Sequence, residues 1–217
     1  MTDRPTALIA DDHQIVREGL KMALSTPGLV TAAGIEVVAE AENGMDAIVA
    51  AKVHDPDLAI LDVQMPLVNG VEAIIEIKRW RPACRLVALT GVSAPGLLRQ
   101  LVDAEVDGLF AKQGDIALLY RRIPAILDGA RFIDPRLEDL LADAGAKDTN
   151  LTGREQQTLN MIVRGLSNAE IGDALGISPK TVEKYRSSLM AKLQVNSVAQ
   201  LLARALKDGL IDPAAEL

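Results

Sequence analysis

The stretch that decides the fold is Leu58-Ala59-Ile60-Leu61-Asp62, followed at once by Val63-Gln64-Met65-Pro66-Leu67-Val68-Asn69-Gly70. A short apolar run closed by turn-forming residues is typical of a buried β-strand. Asp62 would then lie at the carboxyl end of this strand, where open α/β sheets bind their ligands. An isolated aspartate would more simply cap a helix or face solvent, so the interpretation depends on what else reaches this edge.

Three further apolar runs also end in polar side chains. They are Ala7-Leu8-Ile9-Ala10 before Asp11 and Asp12, Leu86-Val87-Ala88-Leu89 before Thr90, and Leu109-Phe110-Ala111 before Lys112. The carboxyl ends of parallel strands meet at one edge, so three carboxylates, a hydroxyl and an ammonium group should converge there. Clustered carboxylates repel one another unless a cation lies among them. Hard oxygen ligands around a small site indicate Mg²⁺.

This set of groups indicates phosphoryl chemistry. A metal-neutralised aspartate such as Asp62 is a competent nucleophile toward phosphorus and gives an aspartyl-phosphate. Lys112 can pair with the carboxylate or its phosphoryl group, and Thr90 can donate a hydrogen bond to a phosphoryl oxygen. His13 could suggest another metal ligand, but it should begin the first helix, and we expect it to face solvent.

The front of the chain alternates strand and helix patterns, which predicts a parallel α/β sheet. Five βα units predict the flavodoxin-like strand order 2-1-3-4-5, whose first and third strands flank the ligand-binding switch point. Asp11, Asp12 and Asp62 lie at the ends of those two strands. The predicted helices run from His13 to Ser25, after an N-cap at Asn43, from about Val71 to Trp80, and from Asp115 towards Gly129.

This part of the chain resembles the receiver domain of two-component response regulators. The matching residues, in the order of that family, are Asp11-Asp12, Asp62, Met65-Pro66, Gly70, Thr90 and Lys112. The resemblance implies that a histidine kinase transfers a phosphoryl group to Asp62. It also implies a set of Mg²⁺ ligands, namely Asp11, Asp12, Asp62 and the carbonyl oxygen of Gln64.

Three positions depart from the receiver pattern. Leu109 stands where an aromatic residue that moves on activation is usual, and Glu105 replaces a glycine near the end of the preceding helix. Pro124 falls inside the last predicted helix, where it should cost about 3 kcal/mol or force a kink. All three lie on the fourth and fifth βα units, through which receivers commonly signal, so the activation relay depends on them.

Two alternatives for the front section remain open. A phosphatase of the haloacid-dehalogenase type also uses a strand-end aspartate, but it needs a second aspartate two residues later, where Gln64 stands. A receiver-fold regulator that works without phosphorylation is the other alternative, although all five site residues are present. Sustained release of phosphate from a phosphomonoester would support the phosphatase.

Composition limits the class of protein. The chain has 217 residues, 49% of them hydrophobic, which is enough for one large or two small domains. The single Cys84 excludes an intramolecular disulfide framework and fits a reducing compartment. Because the sequence shows neither a signal-peptide pattern nor a membrane-length apolar run, we expect a soluble cytoplasmic protein without membrane contact.

The charge distribution separates two modules. The whole chain carries a net charge of -7, but residues from Thr149 onward include eight basic and seven acidic side chains. We predict a receiver domain over 1–130, a linker over 131–148 that can contain a short helix beginning at Asp134-Pro135, and a helical domain over 149–217. Thr152 and Glu155 have the spacing of a capping box at the start of that domain.

The helix-capping residues of the last module predict a helix-turn-helix. Ser167 should cap one helix, Gly176 should end it, and Ser178 with Pro179 should begin the next. At 3.6 residues per turn, the apolar residues of the second helix fall on one side. Lys180, Lys184 and Ser187 fall opposite, with Thr181 and Ser188 beside them. A solvated helix face would show similar lysines, but the preceding turn and the small polar residues favour a face that enters the DNA major groove.

This module resembles the DNA-binding domain of the NarL/LuxR type. The matching segments are Leu151-Thr152-Gly153-Arg154-Glu155, Gly165-Leu166-Ser167-Asn168-Ala169-Glu170-Ile171, Ser178-Pro179-Lys180-Thr181-Val182-Glu183 and Lys192-Leu193. Tyr185 stands where this family usually has histidine. The resemblance implies that Lys184 and Ser187 face bases, whereas Lys180, Thr181 and Arg186 engage the phosphate backbone.

Together the two modules predict a response regulator that binds promoter DNA. One such module makes few phosphate contacts, so we expect a homodimer on two half-sites when the protein is activated. RNA polymerase is a further partner that this interpretation allows. A ligand-sensing LuxR-type regulator is disfavoured because the front section lacks an aromatic-rich pocket. The chain is not expected to be an enzyme.

Overall fold

The computed structural model describes residues 4–91, 95–143, 151, 153–208 and 210–211. The chain divides into two compact units. One comprises Met1–Gly91 with Gln100–Asp139, and the other comprises Val92–Arg99 with Leu140–Leu217. The predicted limits of the two domains and of the linker between them stay predictions.

The first unit is built on a parallel β-sheet. Its strands are β1 (Thr6–Ala10), β2 (Glu36–Ala41), β3 (Leu58–Asp62), β4 (Arg85–Thr90), β5 (Gly108–Ala111) and β6 (Phe132–Ile133). They lie in the order β2-β1-β3-β4-β5-β6. The apolar residues of β1, β3 and β4 are buried, as expected for a parallel sheet covered by helices on both faces.

The predicted strand order is confirmed, but over the described residues the sheet has six strands rather than five. The extra strand, β6, pairs with β5 through Gly108 with Phe132 and Leu109 with Ile133. The prediction assigned this segment to the linker because two residues are too few to show strand alternation. Tertiary contacts stabilise the strand instead, since the ring of Phe132 stacks on Phe110 with 5.2 Å between centroids.

Helices alternate with these strands, as the sequence predicts. They are α1 (Gln14–Ser25), α2 (Gly44–His54), α3 (Gly70–Trp80), α4 (Pro95–Asp103) and α5 (Ile116–Leu127), and α6 (Pro135–Asp143) follows β6. The expected cap at Asn43 is present, because its side chain accepts a hydrogen bond from the backbone amide of Asp46 at 2.9 Å. Asn69 caps α3 in the same way through Glu72.

The three positions that depart from the receiver pattern lie on the elements that the sequence predicts for them. Leu109 is buried in β5, and Pro124 lies inside α5, which continues to Leu127. Glu105 follows α4 and adopts a left-handed backbone conformation with a φ of 55°. A glycine adopts this conformation without steric cost, which explains why glycine is usual there.

From residue 153 to residue 208, the second unit forms the helices α7 (Gly153–Val163), α8 (Asn168–Leu175), α9 (Pro179–Lys192) and α10 (Val198–Lys207). Ser167 forms a capping box with Glu170, Gly176 ends α8 with a φ of 64°, and Ser178 caps α9 ahead of Pro179. The helix-turn-helix is therefore formed by α8 and α9. The predicted cap at Thr152 lies outside the described residues.

Candidate functional site

Three carboxylates converge at the carboxyl edge of the sheet. Asp62 ends β3 and Asp11 directly follows β1; both are buried, whereas Asp12 is exposed. Together with His13, these residues offer ligand atoms that all lie within 4.8 Å of one another. The expected cluster therefore forms, because β1 and β3 are neighbours in the sheet and end at the same level, with Ala10 opposite Leu61.

Lys112 joins the two buried carboxylates. Its Nζ lies 2.7 Å from Asp11 Oδ2 and 2.8 Å from Asp62 Oδ2. The backbone amide of Lys112 donates to the carbonyl oxygen of Thr90 at 2.7 Å, so the ends of β4 and β5 are also linked. Thr90 is buried at the end of β4. The structure thus brings Lys112 to the carboxylates and places Thr90 on the neighbouring strand end.

Burial dominates the electrostatics of this cluster. Desolvation raises the pKa of Asp62 from 3.8 to about 6, even though the hydrogen bond and the charge of Lys112 act in the opposite direction. For Lys112, burial alone would lower the pKa, but the hydrogen bonds that its ammonium group donates to Asp11 and Asp62 outweigh burial and raise the pKa. One ammonium group therefore does not fully compensate the two buried carboxylates.

The loop after Asp62 is shaped by close backbone contacts. The backbone amide of Gln64 donates to Asp62 Oδ1 at 3.1 Å, which orients the carboxylate. The amide of Gly70 donates to the carbonyl oxygen of Val63 at 3.0 Å. A Cβ atom at Gly70 would collide with the carbonyl oxygen of Asp62, so the start of α3 can pass this close only with glycine.

The donor set fits a small, hard cation. Receiver domains bind Mg²⁺ at an acidic pocket of this kind, and Mg²⁺ takes one or two carboxylates together with water and phosphate oxygens. The raised pKa of Asp62 shows that ionising this carboxyl group is unfavourable without more positive charge nearby. A divalent cation held by the three carboxylates would supply that charge.

The structure adds two residues to this site. His13 is exposed, as expected, and precedes α1, but its Nδ1 lies 2.7 Å from Asp12 Oδ1 and 3.2 Å from Asp11 Oδ1. Arg17 is buried on α1 and donates to the backbone carbonyl of Asp11 at 2.8 Å. The sequence carries no signal for Arg17, because one arginine in an amphipathic helix usually faces water.

The helix α9 presents the predicted polar face. Val182, Leu189 and Leu193 are buried in the core of the second unit. Of the six predicted DNA-contacting residues, three are exposed on the opposite side: Lys180, Lys184 and Ser187. The other three are less exposed and have side-chain partners inside the domain: Thr181 with Ser178, Arg186 with Asn168, and Ser188 with Glu155.

A buried glutamate connects α7 to α9. Glu155 accepts hydrogen bonds from Ser188 Oγ and from Lys192 Nζ, each at 2.6 Å. Ser188 and Lys192 are four residues apart and therefore lie on one side of α9. This contact explains why Ser188 turns away from the outer face of α9, which angular periodicity alone did not predict.

Two family models match the chain. Residues 7–124 match the response regulator receiver domain, and residues 149–205 match the luxR family of bacterial regulatory proteins. The chain therefore belongs to the response regulators that join a receiver domain to a LuxR-type helix-turn-helix domain and regulate transcription. Response regulators of this kind are transcription factors and do not form a known class of enzymes.

Individual relatives support this assignment over nearly the whole chain. The response regulator GacA of Pseudomonas syringae pv. syringae is 31% identical to this chain. The match covers 96% of this chain and 98% of GacA. The transcriptional regulatory protein DesR of Bacillus subtilis is also 31% identical, with 93% of this chain and 96% of the relative covered.

A solved structure shows the same architecture. RcsB from Salmonella enterica serovar Typhimurium, bound to a promoter in the presence of the phosphoryl mimic beryllofluoride, has a TM-score of 0.71 and 28% identity. The match covers 93% of this chain and 98% of that chain. Another structure contains two RcsB dimers bound to two DNAs.

In the described part of this chain, no helix is long and apolar enough to cross a membrane.

Proposed function

We propose that this response regulator is switched by phosphorylation of Asp62. A sensor histidine kinase supplies the phosphoryl group: an Asp62 carboxylate oxygen forms a bond to phosphorus, and the bond from phosphorus to the histidine nitrogen breaks. The observation that carries this proposal is the placement of Asp62. It is buried, held by Lys112 at 2.8 Å, and within 4.8 Å of the carboxylates of Asp11 and Asp12.

In this proposal, Asp11, Asp12, Asp62 and the carbonyl oxygen of Gln64 would hold Mg²⁺. When bound, the ion would supply positive charge beside the phosphoryl group. Lys112 then pairs with a phosphoryl oxygen, and the hydroxyl of Thr90 donates a hydrogen bond to another. Thr90 ends β4, the strand next to β3, and Lys112 follows β5 with its Nζ already 2.8 Å from Asp62 Oδ2. Neither residue therefore needs a large movement of the backbone.

The proposed output is a homodimer that binds promoter DNA. Phosphorylation shifts the equilibrium from a form with masked DNA-binding residues to this dimer. Lys180, Lys184 and Ser187 are exposed on α9 and are the strongest candidates for DNA contacts. Thr181 and Arg186 can reach phosphates from its flanks, whereas Ser188 donates to Glu155 and supports the helix from inside.

The proposed location is the cytoplasm, where the proposed promoter DNA lies. RNA polymerase is a further proposed partner at the promoter, since the RcsB structures show a relative bound to promoter DNA.

Light scattering tests the switch without knowledge of the promoter. Wild type, Asp62→Ala and a control, Asp128→Ala, are incubated with Mg²⁺ and beryllofluoride, and the molecular mass is followed. Asp128 is an exposed aspartate after α5 and lies outside the site. We expect wild type and Asp128→Ala to double in mass and Asp62→Ala to remain monomeric.

If the molecular mass of wild type does not change on addition of Mg²⁺ and beryllofluoride, the phosphorylation switch is contradicted. A dimer that forms equally in all three proteins would favour the second candidate, a regulator that keeps the receiver fold but works without phosphorylation. Leu109, Glu105 and Pro124 would then be the residues to exchange first, because they depart from the receiver pattern on the output side of the sheet.

A further inference from the structure

Arg17 is a buried charged residue with two strong partners near the acidic cluster. It is 7% exposed, and its Nη1 donates to the backbone carbonyl oxygen of Asp11 at 2.8 Å. Its Nη2 donates to Glu42 Oε1 at 2.6 Å. Burying a guanidinium group is costly unless its partners compensate for the lost water. These contacts therefore require a reason beyond the packing of α1.

The carbonyl group of Asp11 provides that reason. Asp11 lies one residue beyond the end of β1, and its amide donates to the carbonyl oxygen of Ala41 at 3.1 Å. A buried carbonyl group past the end of a strand needs a donor from elsewhere. Arg17 supplies that donor. Its planar fork can reach a second acceptor at the same time, whereas lysine is a compact point charge.

The second acceptor connects the cluster to the neighbouring strand. Glu42 directly follows β2, and Glu40 within β2 lies 3.8 Å from Arg17 Nε. Glu40 also pairs with Lys21 Nζ at 2.6 Å. Arg17 thus joins the ends of β1 and β2 from α1, while Lys21 completes the outer side of the same charge network.

We infer that Arg17 is a positioning residue for the Mg²⁺ site. By holding the main chain of Asp11, it keeps the carboxylates of Asp11 and Asp12 directed toward Asp62. This inference rests on the proposed metal site, because it concerns how that site is held. Outer hydrogen bonds to metal-binding residues typically change metal affinity by about 10- to 100-fold.

The direction in which Mg²⁺ affinity changes when Arg17 is replaced distinguishes a positioning role from a purely electrostatic one. Arg17 is a cation close to a site for a divalent cation, so Coulomb repulsion alone predicts tighter Mg²⁺ binding when its charge is removed. Positioning predicts weaker binding, because the ligands of the ion lose their fixed arrangement. A purely structural role would change the stability of the fold and leave the Mg²⁺ affinity of the folded protein unchanged.

Calorimetric titration of the full chain with Mg²⁺ tests this inference at constant ionic strength. We expect Arg17→Met to weaken Mg²⁺ binding about tenfold. Arg17→Lys should weaken it about threefold, because lysine keeps the charge but does not reproduce the two-acceptor fork. Lys21→Met is the matched control on the same helix, and its affinity should equal that of wild type. Urea unfolding of each variant shows that the folded protein is being titrated.

The outcomes are distinct. If both Arg17 variants bind Mg²⁺ as tightly as wild type, or more tightly, the positioning role is wrong. If Arg17→Met does not fold, Arg17→Lys decides the question by the same criterion. If wild type itself binds no Mg²⁺, the proposed metal site is overturned together with this inference, and that result is separate from a failure of Arg17 alone.

Discussion

Replacing Asp62 by asparagine should stabilise the receiver unit at neutral pH, although it removes the proposed phosphoryl acceptor. Asp62 is buried, and desolvation raises its pKa to about 6 despite the attraction of Lys112. Asparagine has nearly the same volume and carries no charge. Its side-chain oxygen can still accept the hydrogen bond from the amide of Gln64. The substitution therefore removes the desolvation cost and keeps most of the local packing.

The magnitude follows from the pKa. A tenfold change in proton affinity corresponds to about 1.4 kcal/mol. A rise from 3.8 to about 6 therefore means that the ionised Asp62 disfavours folding by about 3 kcal/mol. Lys112 loses one of its two partners in the variant, which offsets part of this gain. We expect a net stabilisation of about 1–2 kcal/mol above pH 7.

The pH dependence has a defined direction. The raised pKa means that the folded chain binds this proton more tightly than the unfolded chain, so the contribution of Asp62 to stability falls as the pH rises from about 4 to about 6. Above that window the unfavourable contribution is constant. The difference between Asp62→Asn and wild type should therefore be small at pH 4, grow up to pH 6, and then level off.

Urea unfolding followed by fluorescence measures this difference. Trp80 is the only tryptophan and lies on α3, so its signal reports on the receiver unit. Asp128→Asn, at an exposed site, is the control and should match wild type at every pH. Mg²⁺ should stabilise wild type more than Asp62→Asn. A variant less stable than wild type at pH 8, or a difference that does not change between pH 4 and pH 7, would refute the argument from desolvation.

Three further substitutions test other parts of the chain. Glu105→Gly should raise the free energy of unfolding by about 1 kcal/mol, because glycine adopts the left-handed conformation without steric cost; urea unfolding read by tryptophan fluorescence measures this. Lys180→Ala should weaken binding to duplex DNA and reduce its salt slope by about 1, because Lys180 is assigned to the phosphate backbone, whereas Ser188→Ala should leave the salt slope unchanged. An unchanged slope for Lys180→Ala would contradict that assignment. Glu155→Ala should destabilise the second unit by about 2 kcal/mol, since Lys192 loses a buried partner; thermal unfolding monitored by circular dichroism would show no shift if the ion pair were unimportant.

Local patterns predicted the elements that position the acidic cluster. The apolar run before Asp62 forms β3, and Asn43 and Ser178 cap the helices that they were expected to cap. These signals are strong because a buried parallel strand needs a continuous apolar run, and a helix start needs an oxygen that accepts its free amide groups. Spacing along the chain is sufficient for both.

Two features that the sequence did not predict depend on partners far away in the sequence. The two-residue strand β6 exists because β5 offers a free edge and Phe110 offers a ring for Phe132. Ser188 turns inward because Glu155 is buried 33 residues earlier in the chain. Angular periodicity treats a helix as isolated, so it assigned Ser188 to the flank of the DNA-binding face.

The amino-acid sequence by itself determined the parallel sheet, the helix-turn-helix and the identity of Asp11, Asp12, Asp62 and Lys112 as the groups at the sheet edge. Only the tertiary structure decided how these groups are held. The raised pKa of Asp62 depends on burial by the surrounding elements. The hydrogen bond from Arg17 to the backbone carbonyl oxygen of Asp11 depends on the packing of α1 beside β1 and β2. Residue type and order are carried along the chain, whereas desolvation and hydrogen bonds between distant residues exist only after folding has brought them together.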